Sequence, residues 1–213
     1  SDVCSSDLFV GSSCVLCRSG SAADTQWVAE MAKEQFRARK VQRPGYRPTV
    51  SEVAHYVRYQ VRGDDSSSSE PLRASIICAG YDEAIDAGQI YAIIPGGSML
   101  EEDHFCVSGS GSTVLLGYLD SLDMNKVSSE YTEDQAVSLV TKLLRLSIAR
   151  DGSSGGLVRI YVINKNGLKN YSVYPSSTVS LNTSSSPTRS ESSIGGKVKG
   201  FADPIPVQDS SAE

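Results

Sequence analysis

The sequence predicts an α+β fold in which sheets pack face to face and helices cover both outer sides. Its hydrophobic patterns run in the order strand, two helices, three strands, two helices, two strands. Helix pairs that alternate with sets of strands favour packed layers of this kind. The 213 residues suffice for one domain with a single core and a remainder. With 39% hydrophobic and 21% charged residues, the composition is that of an ordinary globular protein.

The first part of the domain carries a strand followed by two helices. The apolar run 14–18 predicts a strand that stops at residues 19–20 (SG). The segments 21–24 (SAAD) and 49–52 (TVSE) have the pattern of capping boxes, and each begins a helix. The residues that recur at helical spacing are Trp27, Val28, Met31, Ala32, Gln35 and Phe36 in the first helix and Val50, Val53, Ala54, Val57 and Val61 in the second.

The second part alternates again between strands and helices. The predicted elements are strands over 74–79, 89–94 and 104–107, a helix over 113–119, a helix that begins after 132–135 (TEDQ), and hairpin strands over 157–163 and 170–174. The core-facing positions of the later helix are Ala136, Val137, Val140, Leu143, Leu144, Ser147 and Ile148.

The chain divides into three segments. Residues 1–8 show no periodicity, and 3–8 (VCSSDL) resembles translated sequencing-adapter DNA, so we expect an artefact or a disordered start. Residues 9–174 form the domain. Residues 175–213 are rich in serine, with proline and glycine and no apolar stripe, and we expect them to be disordered.

Charge and hydropathy exclude several classes of protein. The formal net charge of −5 argues against a nucleic-acid partner, which usually requires a basic stripe. No apolar run approaches the roughly 18 residues of a membrane-spanning helix, so we expect no membrane partner. The start of the sequence does not have the pattern of a signal peptide.

The cysteines favour reduced thiols in the cytoplasm or nucleus. There are 5, an odd number at no framework spacing. Cys14 and Cys17 form a C-x-x-C, but a zinc site needs a second pair of ligands, and His55 and His104 stand alone. Buried strand cysteines are preferred over metal or redox chemistry. We expect no metal and no cofactor.

Three short motifs are weak signals when each is taken alone. Residues 108–112 (SGSGS) precede a helix and suit either an anion cradle or tight packing. Residues 151–156 (DGSSGG) suit a helix C-cap. Arg18 ends a strand, where a surface arginine paired with Asp24 or Glu30 is the plain alternative.

Taken in order, the motifs resemble a known family. They are 18–26 (RSGSAADTQ), 76–80 (IICAG), 94–97 (IPGG), 109–112 (GSGS) followed by Gly117 and Tyr118, and 150–156 (RDGSSGG). Over residues 9–174 the chain resembles a proteasome 20S core beta subunit of the caspase-like type, which cleaves after acidic residues. The resemblance implies a four-layer alpha-beta-beta-alpha sandwich of the N-terminal-nucleophile hydrolases.

The resemblance also implies that part of the catalytic apparatus is missing. Such subunits use an N-terminal threonine whose own amine is the base, together with an Asp and a Lys on the segment that follows. Here the matching region begins at Arg18, and the first threonine, Thr25, falls inside a predicted helix. We expect an N-terminally truncated domain, from an incomplete gene model or fragment or else a non-catalytic descendant.

The remaining site residues are carried over position by position. Ser110, Asp151 and Ser154 match residues that surround the nucleophile's amine. Gly20 matches the glycine whose N–H faces the oxyanion and lines the substrate strand. Arg18, Ala22 and Gln26 match the first specificity pocket. Ser108 stands where the family usually has Gly or Ala.

The resemblance implies a threonine endopeptidase subunit in protein degradation, located in cytoplasm and nucleus. Its partners would be other alpha and beta subunits in stacked seven-membered rings, and its substrates unfolded polypeptides. Two other classes stay open: a structural ring subunit that never cleaves, and a small-molecule-binding alpha/beta module.

Overall fold

Two antiparallel sheets and four helices make up the described part of the chain, which in this computed structural model is residues 7–10, 14–63, 72–123, 131–173 and 180–181. The elements are β1 (Asp7–Val10), β2 (Cys14–Gly20), α1 (Ala22–Gln42), α2 (Val50–Arg62), β3 (Ala74–Asp82), β4 (Ala87–Ile93), β5 (Met99–Glu101), α3 (Ser112–Leu119), α4 (Glu133–Arg150), β6 (Val158–Asn164), β7 (Gly167–Val173) and β8 (Ser180–Leu181). The α+β class is confirmed.

The strands form one sheet of five and one of three. The first has the order β1-β2-β3-β4-β5 and the second β6-β7-β8, with every neighbouring pair antiparallel. In the second sheet, Asn164 pairs with Gly167 across a two-residue turn, which confirms the predicted hairpin. β6 also contacts β3, so the two sheets meet.

The helix starts follow the capping patterns. Thr49 with Glu52, and Thr132 with Gln135, each make both hydrogen bonds of a capping box. At the start of α1 the Ser21 side chain accepts a bond from the Asp24 N–H, but the Asp24 carboxylate accepts from the N–H of Arg73, at 2.9 Å. Because Ser21 N–H donates to the Arg73 carbonyl, at 2.9 Å, the start of α1 is held against the chain entering β3.

The main core lies between the five-stranded sheet and the pair α1 and α2. All five predicted positions of α2 are buried. They pack against sheet residues that include Leu16, Ile76, Cys78 and Ile93. In α1 the prediction was wrong for Trp27 and Met31, which are 48% and 39% exposed. The predicted positions Val28, Ala32 and Phe36 are buried, and Ala29 is buried with them, so the buried stripe is centred on the side of the helix away from Trp27 and Met31.

A second core lies between α4 and the three-stranded sheet. Its buried members are Val137, Val158, Ile160 and Tyr171, and Leu144 and Ile148 pack partly buried against them. Leu143 is buried against α3 instead. The predicted core positions Ala136 and Val140 are exposed, because among the described elements the packing of α4 on α3 and β6 does not cover them.

The predicted strand over 104–107 is wrong. The third strand of this set is β5, which pairs with β4 directly after a tight turn. That turn is closed by Gly97 N–H on the carbonyl of Ile94 and by Ile94 N–H on the carbonyl of Ser98. Because a short hairpin brings the residues just after the turn into register, the strand begins at Met99, and 104–107 is the irregular approach to α3.

The outer segments are described only in part. β1 includes Asp7 and Leu8, two of the eight residues expected to be an artefact or disordered. β8 places Ser180 and Leu181, from the segment expected to be a disordered tail, beside β7. Residues 1–6 and 182–213 lie outside the described part of the chain. Within the described ranges, no helix combines the length and apolarity that a membrane span needs.

Candidate functional site

The end of β2 and the start of α1 form one side of the candidate site. β2 runs through Arg18 and ends at Gly20, Ser21 caps α1, and the exposed Ala22 is the first helical residue. Antiparallel pairing places Gly20 opposite Ala74 at the start of β3. The described part of β1 pairs with residues 14–17 of β2, so the last three residues of β2, from Arg18 to Gly20, are paired with β3 alone among the described strands.

Gly20 is a position that only glycine fits. Its φ is +99°, a left-handed conformation that residues with a Cβ rarely adopt. A Cβ built there would lie 2.5 Å from the carbonyl oxygen of Arg73. The close backbone approach between β2 and the chain entering β3 therefore depends on this glycine.

Arg18 is held by an amide on α1. Its Nη1 donates to Oε1 of Gln26 at 2.6 Å, and Nε2 of Gln26 donates to Glu30 at 3.0 Å. The two bonds fix which end of the Gln26 amide faces the arginine, because its oxygen must accept while its nitrogen donates. A guanidinium, an amide and a carboxylate thus form one chain of hydrogen bonds along the edge of α1.

The second side of the site is a carboxylate between two hydroxyls. Ser110, just before α3, and Ser154, after α4, each donate to Oδ2 of Asp151 at 2.6 Å. Ser153 N–H donates to the other oxygen, Oδ1, at 3.2 Å. Ser154 is also 2.9 Å from the hydroxyl of Ser147 in the last turns of α4. The segment before α3 and the loop after α4 therefore meet at one carboxyl group, and Ser154 links that group to the end of α4.

Hydrogen bonding to its charged form lowers the pKa of Asp151. The bond from Ser110 is the largest cause, followed by those from Ser154 and from the Ser153 N–H. The carboxyl group is therefore an anion at neutral pH. It can only accept hydrogen bonds there, so it orients both hydroxyl groups.

Gly111 permits this cluster to close. A Cβ at Gly111 would lie 2.0 Å from Oγ of Ser147 and 3.2 Å from Oγ of Ser154. The buried backbone at the start of α3 thus packs directly on the hydroxyls of the α4 side. The glycine-rich segment serves here for close packing, one of the two readings that its sequence allowed.

A third group of hydroxyls joins the two sides. Oγ of Ser108 lies 2.6 Å from Oγ of Ser19 and 2.9 Å from Oγ of Ser75, and Ser19 donates to the carbonyl of Ser75 at 3.4 Å. A Cβ at Gly109 would lie 3.8 Å from Cβ of Ser19. The segment 108–111 therefore touches β2 and β3 through its first residue and Asp151 through its third.

The structure brings the predicted residues into these two neighbouring groups: Arg18, Gly20, Ala22 and Gln26 on the β2–α1 side, and Ser110, Asp151 and Ser154 on the α3–α4 side. Their assigned roles remain predictions. Ser19, Ser75 and Ser147 were missed as members of the site. A signal existed for Ser147, a serine on the buried face of a helix, which has to find a hydrogen-bond partner.

The remaining chemically interesting residues lie outside these groups. Thr25 is buried within α1 and donates to the carbonyl of Ser21, at 2.8 Å. Cys14 and Cys78 are buried, and burial is the main cause that raises both thiol pKa values, that of Cys14 to about 12. Among the described residues, no three His, Cys, Asp or Glu side chains converge as a metal site would require.

Comparison with known proteins gives one consistent family. The family model described as "Proteasome subunit" matches residues 9–163. The chain is 36% identical over 156 residues to proteasome subunit beta type-6 of Dictyostelium discoideum, an alignment that covers 72% of this chain and 66% of that protein. It is 36% identical to the probable proteasome subunit beta type-1 of Schizosaccharomyces pombe, over 72% of this chain and 63% of that protein.

A human relative gives the same result. Proteasome subunit beta type-9 of Homo sapiens is 33% identical over 152 residues, which are 70% of this chain and 63% of that protein. The chain thus spans slightly less than two thirds of the length of these relatives.

Proposed function

This chain belongs to the proteasome beta subunit family, and from that premise we propose that it is part of a 20S proteasome core subunit of the threonine endopeptidase type that cleaves after acidic residues. The observation that carries the proposal is the position of Arg18. Its guanidinium lies at the end of β2, two residues before Gly20, and is oriented by Gln26. That combination suits a pocket for a substrate carboxylate beside the end of β2.

Charge and geometry both favour an acidic substrate side chain. An arginine offers a planar fork of donors that matches a carboxylate, and such charge-assisted bonds are stronger than neutral ones. Gln26 accepts one N–H of the guanidinium. The amide of Gln26 carries no charge and helps to orient the guanidinium. The exposed Ala22 nearby leaves space for a substrate side chain.

The Asp151 cluster is proposed to support the nucleophile. In this family the attacking group is a threonine whose amine acts as base, and an amine needs acceptors to hold its protons. The anionic Asp151 and the hydroxyls of Ser110 and Ser154 supply such acceptors. The N–H of Gly20 would face the oxyanion that forms at the substrate carbonyl.

The nucleophile itself is proposed to lie outside these 213 residues. Thr25, the first threonine in the sequence, is buried within α1 and already bonded to the helix backbone. The expected consequence is that the 213-residue chain hydrolyses no peptide, because supporting groups without a nucleophile do not form the covalent intermediate.

Assembly into rings with other proteasome subunits, in cytoplasm and nucleus, is part of the proposal. The assembly is supported by apolar side chains at the surface, since apolar surface patches often mark protein interfaces. Ile94, Leu100 and Leu116 are 43%, 55% and 41% exposed, and they line one open cavity of about 510 Å³ beside the acidic Glu102 and Asp103. A neighbouring subunit would cover these groups.

The four-layer sandwich is proposed on similar grounds. α1 and α2 cover one face of the five-stranded sheet, α4 covers the three-stranded sheet, and β3 and β6 are in contact. The order helix, sheet, sheet, helix is the arrangement that these contacts favour.

One experiment tests the proposal against its main alternative, a structural ring subunit. The gene is tagged in its native host at the 3′ end, and the purified protein is analysed by mass spectrometry for its own N-terminus and for co-purifying proteasome subunits. The expected result is a core particle in which this subunit begins with threonine and cleaves acidic fluorogenic peptides in an inhibitor-sensitive way. A particle whose subunit has no N-terminal threonine would favour the structural alternative, and a protein without other subunits would contradict both.

A further inference from the structure

Ser108 occupies a position where one hydroxyl connects three segments of the chain. It precedes α3, and its Oγ is within hydrogen-bond distance of Ser19 on β2, at 2.6 Å, and of Ser75 on β3, at 2.9 Å. In sequence, Ser108 is 89 residues from Ser19 and 33 from Ser75. The three hydroxyls therefore meet only through the tertiary fold.

The distances allow one consistent direction for the protons. Ser19 donates to the main-chain carbonyl of Ser75, at 3.4 Å, so its oxygen is free to accept. Ser108 then donates to Ser19 and accepts from the hydroxyl of Ser75. Hydrogen bonds in such a chain polarise and strengthen one another. Two of the three bonds involve Ser108, and these two attach its segment to β2 and β3.

The same short segment is fixed at its other end. Two residues after Ser108, Ser110 donates to Asp151 at 2.6 Å, and Gly111 packs on Ser147 so tightly that no Cβ fits. A segment held at both ends has little freedom to shift along β2. The distance between the Asp151 cluster and the Gly20 strand end is therefore set, in part, by the bonds of Ser108.

We propose that Ser108 is a positioning residue that fixes Ser110 and Asp151 relative to the substrate-binding end of β2. It touches neither substrate nor nucleophile, and it acts through the segment 108–111. This inference rests on the proposed function, since the reaction that it supports is the proposed peptidase step. Its structural part, the attachment of the segment to β2 and β3, can be measured independently of any activity.

The test uses the full-length subunit in assembled core particles, with Ser108→Ala and Ser108→Thr as a matched pair. Ala removes the hydroxyl, and Thr keeps it at an exposed position with room for a methyl group. For Ser108→Ala we expect kcat on an acidic peptide to fall by about threefold to tenfold, the range given by losing roughly one net hydrogen bond. KM should change less than twofold, because the specificity pocket is untouched.

Two further readouts separate positioning from a general loss of structure. In Ser108→Ala the hydrogen bond from Ser110 to Asp151 should be weaker, and the pKa of Asp151 should therefore rise. The acidic limb of the kcat–pH profile should then move to higher pH. Amide hydrogen exchange of residues 109–111 should be faster in Ser108→Ala and normal in Ser108→Thr. Ser108→Thr should keep kcat and the pH profile close to those of the wild type.

The measurements on the two Ser108 variants can overturn the proposal in two ways. Wild-type kcat and pH profile in Ser108→Ala would overturn the proposal, whether or not exchange becomes faster. Equal losses in the Ala and Thr variants would also overturn it, because the hydroxyl would not be the cause. If the unmodified particle has no threonine-dependent cleavage, the proposed function fails instead, and unchanged exchange in Ser108→Ala would then separately exclude the attachment.

Discussion

Ser110 and Asp151, 41 residues apart in the sequence, are joined by a 2.6 Å hydrogen bond from the serine hydroxyl to Oδ2 of the carboxylate. Ser154 donates to the same oxygen at the same distance. An anion with two hydroxyl donors on one oxygen is strongly oriented, and its charged form is stabilised. The lowered pKa of Asp151 has this pair of bonds as its main cause.

Ser110→Ala should therefore raise the pKa of Asp151 toward its ordinary value. The bonds from Ser154 and the Ser153 N–H remain, so the return should be partial. Because the folded-state pKa is lowered, the bond stabilises the fold above the ordinary Asp pKa, and this contribution is lost as pH falls through the folded-state value. Carboxyl-carbon NMR titration measures the change.

Ser153→Ala is the matched control for that titration. Ser153 contributes through its backbone N–H, which alanine keeps. The pKa of Asp151 should be the same in this variant as in the wild type. An unchanged pKa in Ser110→Ala would show that the hydroxyl bond does not stabilise the anion in solution.

Gly20→Ala should destabilise the domain by about 1–3 kcal/mol, the range for a strained backbone position with a local clash. The added Cβ meets the Arg73 carbonyl at 2.5 Å, with φ at +99°. Gly117→Ala in α3 is the control, since open space surrounds that position. It should stabilise by roughly 0.5–1 kcal/mol, the helix propensity difference. Urea unfolding measures both, and equal midpoints for the two variants would contradict the predicted strain.

Cys14 and Cys78 should resist alkylation in the folded protein. Burial is the first cause that raises the pKa of Cys14, to about 12, and that of Cys78 well above its ordinary value. At pH 8 roughly one Cys14 thiol in ten thousand would be ionised, and the thiolate is the reactive form. Iodoacetamide labelling followed by peptide mass spectrometry should find both cysteines modified only after unfolding in urea. Rapid native labelling of either one would show that this core opens readily.

Helical apolar spacing and capping patterns predicted much of the fold, because both depend only on residues within one or two helical turns. The valine stripe of α2 and the capping boxes at Thr49 and Thr132 need only sequence neighbours, and all were found. Trp27 was misplaced because an apolar stripe has two flanks, and the packing of α1 on α2 and the sheet decides which flank is buried. The strand at 104–107 was wrong because hairpin register, and not local apolarity, places β5.

The candidate site also contains residues that the sequence indicated and contacts that only the structure shows. The motif matches supplied Arg18, Gly20, Ser110, Asp151 and Ser154, because those residues carry a family pattern. The contacts of Ser108 with Ser19 and of Ser147 with Ser154 could not be found in this way. Each depends on how closely two segments approach in space. A serine hydroxyl carries no signal in the sequence about which partner it meets.

Arg18→Met in the full-length subunit of assembled particles should lower the preference for cleavage after acidic residues and raise cleavage after apolar ones. The guanidinium offers charge-assisted bonds to a substrate carboxylate worth roughly 1.5–3 kcal/mol each when shielded from water. Losing them should reduce the preference for Asp or Glu at the cleaved position by about tenfold to hundredfold. Cleavage after Leu or Met should rise, because an apolar side chain replaces the charge. Paired fluorogenic peptides that differ only at the cleaved residue measure the ratio of kcat/KM values.

Glu30→Gln is the matched control, since it changes charge on the same hydrogen-bonded chain but leaves Arg18 in place. Glutamine keeps an oxygen that can accept from Nε2 of Gln26, so the amide should still orient the guanidinium. The acidic preference of this variant should be kept or slightly increased, because a negative charge near the pocket has been removed. If Arg18→Met retains the acidic preference, Arg18 does not meet the substrate. If Glu30→Gln loses it as fully as Arg18→Met, the carboxylate of Glu30 is the group that orients the arginine, and Gln26 alone is insufficient.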